Sequence, residues 1–270
     1  METRHEEYHS GEIVTPCVAF LHLHRSADRP AQITNWHDNP EIQVCVEGEG
    51  YVLLDGERFP FRVGDVMVVN SNQVHYTGTD TALTYHCVIL DETFCRIADI
   101  PYQQLRFDTL FRDDEIASIF DEIVALQDRQ TDPCRTAKLQ LAITRMLIAL
   151  RERHTVALAP QLIAKPSYDN VKRAMQYIRE HYAERVTLTD LSRHILSDKY
   201  GLCKSFKRLT GQTVVQYLNN YRCEKAKEYL RDGKTVSETA LLCGFHNMSF
   251  FTKTFREQTG KLPSAYKKPC

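Results

Sequence analysis

The sequence predicts an α+β chain: a small β-barrel first, a helical stretch after it, and an all-helical domain at the end. Three observations carry this. Short β-branched and aromatic segments punctuated by Gly, Asp and Asn fill the first hundred residues, as in small barrels and sandwiches. From Asp113 the apolar period changes from that of a strand to that of a helix. Everything after Tyr168 reads as short helices, and two of its segments repeat each other. A length of 270 residues fits two domains of ordinary size.

Composition narrows the class. Hydrophobic residues at 43% and charged residues at 26% are those of a globular chain. No apolar run approaches the length of a membrane-spanning helix. The opening METRHEEYHSGEI is polar and acidic, unlike a secretory signal. The nine cysteines contain no CxxC pair and are odd in number, which favours reduced thiols and a cytoplasmic location over a disulfide framework. The net charge of −1 conceals an asymmetry: residues 168–270 hold 19 Lys+Arg against 10 Asp+Glu, leaving 15 against 25 in residues 1–167. A basic half joined to an acidic half suggests that only the second meets a polyanion.

In chain order, strands are predicted at Ile13–Leu23, Glu41–Glu47, Tyr51–Leu54, Asp65–Asn70 and Leu83–Leu90. Glu47-Gly48-Glu49-Gly50 and Asp55-Gly56 read as hairpin turns, the second a two-residue turn. These strands make up a domain over 1–100. A helical dimerisation and linker region follows over 101–165. One helix carries Ile116, Ile119, Phe120, Ile123 and Val124 as its apolar stripe, and a second carries Leu139, Ile143, Met146, Leu147 and Leu150. Asp132 is the expected N-cap of the second helix, with Pro133 at its first position. The two stripes face either a second copy of the chain or the barrel. Residues 155–167 read as a linker.

Domain 166–270 carries the repeat. Residues 188–211 and 237–260 align without gaps at an offset of 49. Asp198 falls on Asn247, Leu202 on Phe251, Lys204 on Lys253, Phe206 on Phe255, and Thr210-Gly211 on Thr259-Gly260. Each unit has an apolar helix, a turn, a capping Asp or Asn, and a second helix ending at glycine, which is the sequence form of a helix-turn-helix. Between them Val214–Leu230 reads as one helix, with Val215, Leu218, Tyr221, Cys223, Ala226 and Leu230 as apolar positions. At 1.5 Å per residue it is about 25 Å long. A rod of that length can hold two recognition helices about 34 Å apart, in successive major grooves of double-stranded DNA.

The stretch from Tyr217 to Tyr266 resembles the AraC/XylS family of bacterial regulators. The resemblance is carried by Arg222-x-x-Lys225-Ala226, Leu230, Val236-Ser237-Glu238-x-Ala240, Cys243-Gly244-Phe245, Ser249-Phe250-Phe251, Phe255-Arg256, Gly260 and Pro263-Ser264-x-Tyr266. Unit one departs from the family pattern. Leu196 stands at the turn glycine, Asp198-Lys199 replaces Ser-Pro, and Gly201 within the recognition helix costs about 1 kcal/mol of helix propensity. The positions expected to reach DNA are Lys199, Tyr200, Lys204 and Lys207 in unit one, and His246, Met248, Thr252, Lys253 and Arg256 in unit two. Lysine and arginine serve bases or phosphates, and Met248 and Thr252 suit a thymine methyl. Leu202, Phe206, Phe251 and Phe255 belong to the core.

In the first domain, Trp36-His37-x3-Glu41-x6-Gly48-Glu49-Gly50, then Gly64-Asp65-x4-Asn70, then His75, resemble the two cupin motifs. Such barrels form the effector-binding domain of many AraC-type regulators. A metal cupin has a fourth ligand where Asn35 stands here, which leaves His37, Glu41 and His75. Strand alternation sends Gln43 and Cys45 to the same side as Glu41. The expected effector site is therefore Trp36, His37, Glu41, Gln43 and His75, a polar interior suited to a small hydroxylated or charged ligand such as a sugar. The sequence thus points to a DNA-binding transcription regulator, not an enzyme, that responds to a small molecule. It needs no cofactor, acts as a homodimer, and has RNA polymerase as a candidate partner. Two alternatives stand beside it: a metal-dependent cupin enzyme fused to a DNA-binding domain, and a regulator whose barrel only dimerises.

Overall fold

The computed structural model describes residues 16–27, 34–100, 102, 105–128, 131–158 and 166–266. The chain divides into two compact units, the first made mostly of residues up to Ile163 and the second of Ala164 onward.

The first unit is built around one long strand. In order come β1 (Cys17–Ser26), β2 (Glu41–Leu54), β3 (Glu57–Arg62), β4 (Val66–Val69), β5 (His75–Gly78) and β6 (Ala82–Leu90). Then follow α1 (Glu92–Ile97), β7 (Leu105–Phe107), β8 (Leu110–Phe111), α2 (Asp114–Asp128), α3 (Arg135–Arg153) and β9 (Thr155–Leu158). The main sheet runs β1-β6-β2-β4-β8, with β3 and β5 also paired to β2. The first half of β2 lies between β4 and β6, and its last four residues pair with β5.

The two strands predicted at Glu41–Glu47 and Tyr51–Leu54 are therefore one, and Glu47-Gly48-Glu49-Gly50 is no hairpin. The register against β6 shifts between Cys45 and Glu47, a bulge that redirects the strand without ending it. Gly48 makes this possible: its φ is +74°, and a Cβ there would lie 2.1 Å from the Ala82 carbonyl oxygen. Asp55-Gly56 does turn the chain, both residues with positive φ, between β2 and β3. Of the predicted strand Ile13–Leu23, residues 13–15 lie outside the described residues.

The pleat of β2 serves two cores. Ile42 and Val44, with Val66, Val68, Val88 and Leu90, share a cluster with Ile116, Ile119, Phe120, Ile123, Ile143, Met146, Leu147 and Leu150. Helices α2 and α3 thus lay their predicted stripes on the outer face of their own sheet. The alternate residues Cys45, Met67, Val69, Leu83, Tyr85, Cys87 and Ile89 form the interior cluster with Val52, Leu54 and Phe61. Helix α3 begins two residues later than predicted, with Cys134 as N-cap, while the Asp132 carboxylate accepts from the Cys134 N–H at 2.8 Å. Residues 155–158 are not linker: they form β9, paired with β7.

The second unit comprises α4 (Pro166–His181), α5 (Leu188–Ile195), α6 (Lys199–Thr210), α7 (Val214–Arg231), α8 (Val236–Leu242) and α9 (Met248–Thr259), closed by a 3₁₀ turn at Pro263–Tyr266. Pro166 opens α4, where its missing N–H costs nothing. The caps are written in the sequence. Thr187, Thr213 and Thr235 each form a capping box with the side chain three residues on. In α7 it is Val214 that is buried, while Val215, predicted apolar-inward, is 56% exposed.

Candidate functional site

The two repeated units become two local structures of the same form. In unit one, α5 leads through a turn at Leu196 to α6. The Asp198 carboxylate accepts the Gly201 N–H at 2.7 Å, and Gly211 ends the helix with φ +72°. In unit two, α8 leads through Gly244 to α9. The Asn247 side chain accepts the Phe250 N–H at 2.9 Å, and Gly260 ends the helix with φ +72°. Both second helices are twelve residues long. Gly201 is thus the third residue of its helix, the partner of the cap, and not an interior residue. The propensity cost expected for it shrinks accordingly.

The inward faces match. Leu202, Phe206, Phe251 and Phe255 are buried. Phe206 packs edge-to-face on Tyr217, and Phe255 on Tyr266. The outward faces hold the residues predicted to meet DNA. Lys199, Tyr200, Lys204 and Lys207 are exposed on α6. Met248, Lys253 and Arg256 are exposed on α9, His246 is exposed just before its cap, and Thr252 is half-buried. Met248, Thr252, Lys253 and Arg256 line one shallow groove of about 700 Å³ with Ser249, Glu257 and Leu262. Lys253 lies 3.9 Å from Glu257. Among the described residues, Lys199, Lys204 and Lys207 have no ion-pair partner. Exposed Arg208, which the sequence gathers with the lysines of the first unit, and exposed Phe250 extend these surfaces. Phe250 was not expected to meet DNA, and its outward position next to the buried Phe251 was the signal for it.

The turns differ for a physical reason. Gly244 has φ +75°, and a Cβ on it would lie 2.7 Å from the Ala183 carbonyl oxygen and 2.8 Å from that of Tyr182. Buried Arg222 fixes that backbone, donating to the carbonyls of Tyr182 at 2.8 Å and Glu184 at 2.7 Å. Leu196 takes the same left-handed conformation, with φ +57°, but is 88% exposed.

Inside the barrel, His37, Glu41, Gln43 and His75 come together, and all four are buried. Glu41 and Gln43 lie on the same side of β2, as alternation requires. The Glu41 Oε2 atom is 3.1 Å from His37 Nε2 and 3.2 Å from His75 Nε2. Each ring donates its Nδ1–H to a backbone carbonyl, that of Asn39 at 2.6 Å and that of Gln73 at 3.1 Å. Gln43 donates to Glu41 Oε1 at 2.6 Å, and the Thr77 hydroxyl donates to Gln43 at 2.9 Å. The Tyr85 hydroxyl accepts from Arg25 at 2.7 Å. A run of donors therefore leads from the Thr77 hydroxyl through Gln43 to the Glu41 carboxylate, each bond polarising the next. Burial alone would raise the Glu41 pKa, but His75 and His37, as charges and hydrogen-bond donors, hold it well below the usual carboxylate value. Trp36 is half-buried immediately before His37. Arg25, Thr77 and Tyr85 had no local signal in the sequence: they reach the site only through strand pairing.

Two family models match the chain: an AraC-like ligand binding domain over residues 18–144 and a helix-turn-helix domain over 191–269. An uncharacterised HTH-type transcriptional regulator of Bacillus subtilis, YbfI, is 29% identical over 84% of this chain and 86% of its own length. The arabinose operon regulatory protein of Salmonella typhimurium is 24% identical over 95% of this chain and 92% of its own. Among solved structures, fatty-acid-bound ToxT of Vibrio cholerae shares the fold, with a TM-score of 0.50 at 13% identity. The match covers 95% of this chain and 96% of that one.

Proposed function

The chain belongs to the AraC family of transcription regulators, with an N-terminal ligand-binding domain and a helix-turn-helix DNA-binding domain, and on that premise we propose how each part works. Helices α6 and α9 enter successive major grooves of double-stranded DNA. Lys199, Tyr200, Lys204 and Lys207 contact it from the first unit, and His246, Met248, Thr252, Lys253 and Arg256 from the second. The observation that carries this is the pair of twelve-residue helices, each capped by the side chain before it, whose buried faces match while their exposed faces are basic or groove-forming.

Residues 1–100 form the effector domain, 101–165 the dimerisation and linker region, and 166–270 the DNA-binding domain. A small molecule with hydroxyl or charged groups, such as a sugar, binds against Trp36, His37, Glu41, Gln43 and His75. It acts by favouring one of two arrangements of the chain over the other. Two copies associate through the face of α3 that carries exposed Leu141 and Ile148, since the stripe beside it is spent on the barrel. The protein works in the cytoplasm, with RNA polymerase as a candidate partner. No described helix is long and apolar enough to cross a membrane.

The test is binding of the full chain to the DNA upstream of its own gene, followed by fluorescence anisotropy across a salt series. Affinity is expected to fall steeply with salt. Lys204→Ala should weaken binding and, if Lys204 grips a phosphate, flatten the log–log slope by about 0.9. Binding that ignores salt, or no binding at low salt, would overturn the assignment of α6 and α9 to DNA.

A further inference from the structure

We propose that Asn70 is a positioning residue, tying the turn that holds both histidines of the barrel to β9, the last strand before the second unit. The inference deepens the reading that an effector binds against His37 and His75, and it rests on that reading for its purpose. The coupling itself stands on contacts within the first unit.

The turn 70–73 follows β4 and is bonded to both histidine residues. The Gln73 carbonyl accepts from His75 Nδ1 at 3.1 Å, and the Asn72 N–H donates to the His37 carbonyl at 2.9 Å. The turn is also closed on itself. The Asn70 N–H donates to Gln73 Oε1 at 2.8 Å, and the Gln73 N–H donates to the Asn70 carbonyl at 3.2 Å. Both residues are buried, where such bonds are electrostatically stronger than in water. A ligand that shifts either histidine therefore shifts the turn.

The same turn grips β7. Asn70 Oδ1 accepts the Phe107 N–H at 2.8 Å, and Asn70 Nδ2 donates to the Phe107 carbonyl at 3.0 Å. One side chain thus takes both backbone groups of one strand residue, as a neighbouring strand does. A carboxamide suits this task because it presents an acceptor and a donor side by side. What it holds is weak by itself. Strands β7 and β9 form a sheet apart from the main one, three residues against four, and two strands alone are marginally stable. Phe107 stands opposite Thr155 in their register. Strand β9 ends at Leu158, and α4 opens the helical unit at Pro166.

Strand β9 then has two states, paired with β7 or frayed, and the Asn70 amide biases them. A hydrogen bond weakens steeply as it bends, so a small displacement of the turn loosens Phe107 and, through it, β9. Linkage makes the effect reciprocal: order in β9 returns to the histidines as the same free energy.

The test is hydrogen–deuterium exchange of the full chain, without effector or DNA, read at Thr155–Leu158. His75→Ala is expected to speed exchange there roughly two- to tenfold, the effect of losing one ordinary hydrogen bond, while the amides of α2 keep their rates. Asn70→Ala should by itself speed exchange in β9, and in that background His75→Ala should add nothing. Additive effects would make Asn70 a purely structural residue and overturn the inference. So would β9 exchange that ignores His75→Ala, or faster exchange that extends to α2. If Asn70→Ala does not fold, Asn70→Ser takes its place in the same cycle. Failure here leaves the effector reading standing, because no effector enters the assay. That reading fails separately, through an unaltered effector response in the double variant of His37→Ala with Glu41→Ala.

Discussion

Replacing Gly244 by alanine isolates what the turn glycine of the second unit does. A left-handed conformation costs a residue with a Cβ roughly 1–2 kcal/mol. That alone is bearable, because Leu196 adopts it in the first unit at φ +57°. The difference lies in crowding. At position 244 the new Cβ would sit 2.7 Å from Ala183 O and 2.8 Å from Tyr182 O, and the backbone cannot withdraw freely while Arg222 holds the Tyr182 and Glu184 carbonyls. Relief requires prising the α8–α9 turn away from the α4–α5 connection. Conformation and crowding together come to about 2–4 kcal/mol. For a domain of this size each kcal/mol is worth roughly 4–8 °C in melting temperature, so the DNA-binding transition should fall by about 10 °C or more. Leu196→Gly is the control. Relief of strain is offset by about 0.4–1 kcal/mol of unfolded-chain entropy, so the net change should be small. Differential scanning calorimetry of the full chain reads both variants. A drop of only about 2 °C for Gly244→Ala, half the smallest shift that 1 kcal/mol produces, would show that crowding does not enforce the glycine.

Other outcomes follow from the same packing and placement. Phe255→Ala empties a fully buried position between Phe251 and Tyr266 and should cost about 3–5 kcal/mol, read as loss of the second-unit transition. An unchanged melting temperature would refute the burial. His37→Ala with Glu41→Ala should abolish the response to effector and leave DNA affinity within about twofold, since twofold is under 1.4 kcal/mol of coupling. Loss of DNA binding by the folded double variant would contradict the division of labour. Base-by-base substitution of the bound DNA at fixed salt should find the half under α9 less tolerant than the half under α6. Equal intolerance in both halves would refute that asymmetry.

The helical half of the molecule was legible because its determinants are local. Caps at Asp198 and Asn247, glycines at 211 and 260, and the apolar spacing of Leu202 with Phe206 and of Phe251 with Phe255 all act within one or two turns. The barrel was legible only in part, because its determinants are paired across the chain. Strand β3 reads ERFPFR, with charges and a proline that mask Phe61, yet Phe61 is fully buried. Strands β7 and β9 exist only through each other, some fifty residues apart. The glycines of 47–50 carry the residue preference of a turn, and only the partner strand β6 makes the segment a bulge. The same holds for the barrel site. His37, Glu41 and His75 stood out by spacing, while Arg25 joins through Tyr85, sixty residues away, by sheet register alone.

The repeat was legible as a repeat, but its two copies need not do equal work. Their frames agree in helix length, cap geometry and buried aromatic anchors, so differences in recognition have to come from the outward side chains. On the proposed reading, α6 offers Lys199, Lys204, Lys207 and Arg208, flexible cations with no ion pair among the described residues. Such groups bind phosphate as readily as guanine, and phosphate contacts add affinity without telling sequences apart. Helix α9 offers Met248, Ser249 and Thr252 in a groove, with Lys253 drawn toward Glu257. Methyl and hydroxyl groups in a fixed pocket distinguish a thymine from other bases by shape. The frame around α9 is also the more constrained, since Gly244 is wedged against a backbone that Arg222 pins, whereas Leu196 turns in open solvent. Discrimination needs side chains held in place and electrostatic grip does not, so the tighter turn stands before the helix that has shape to read.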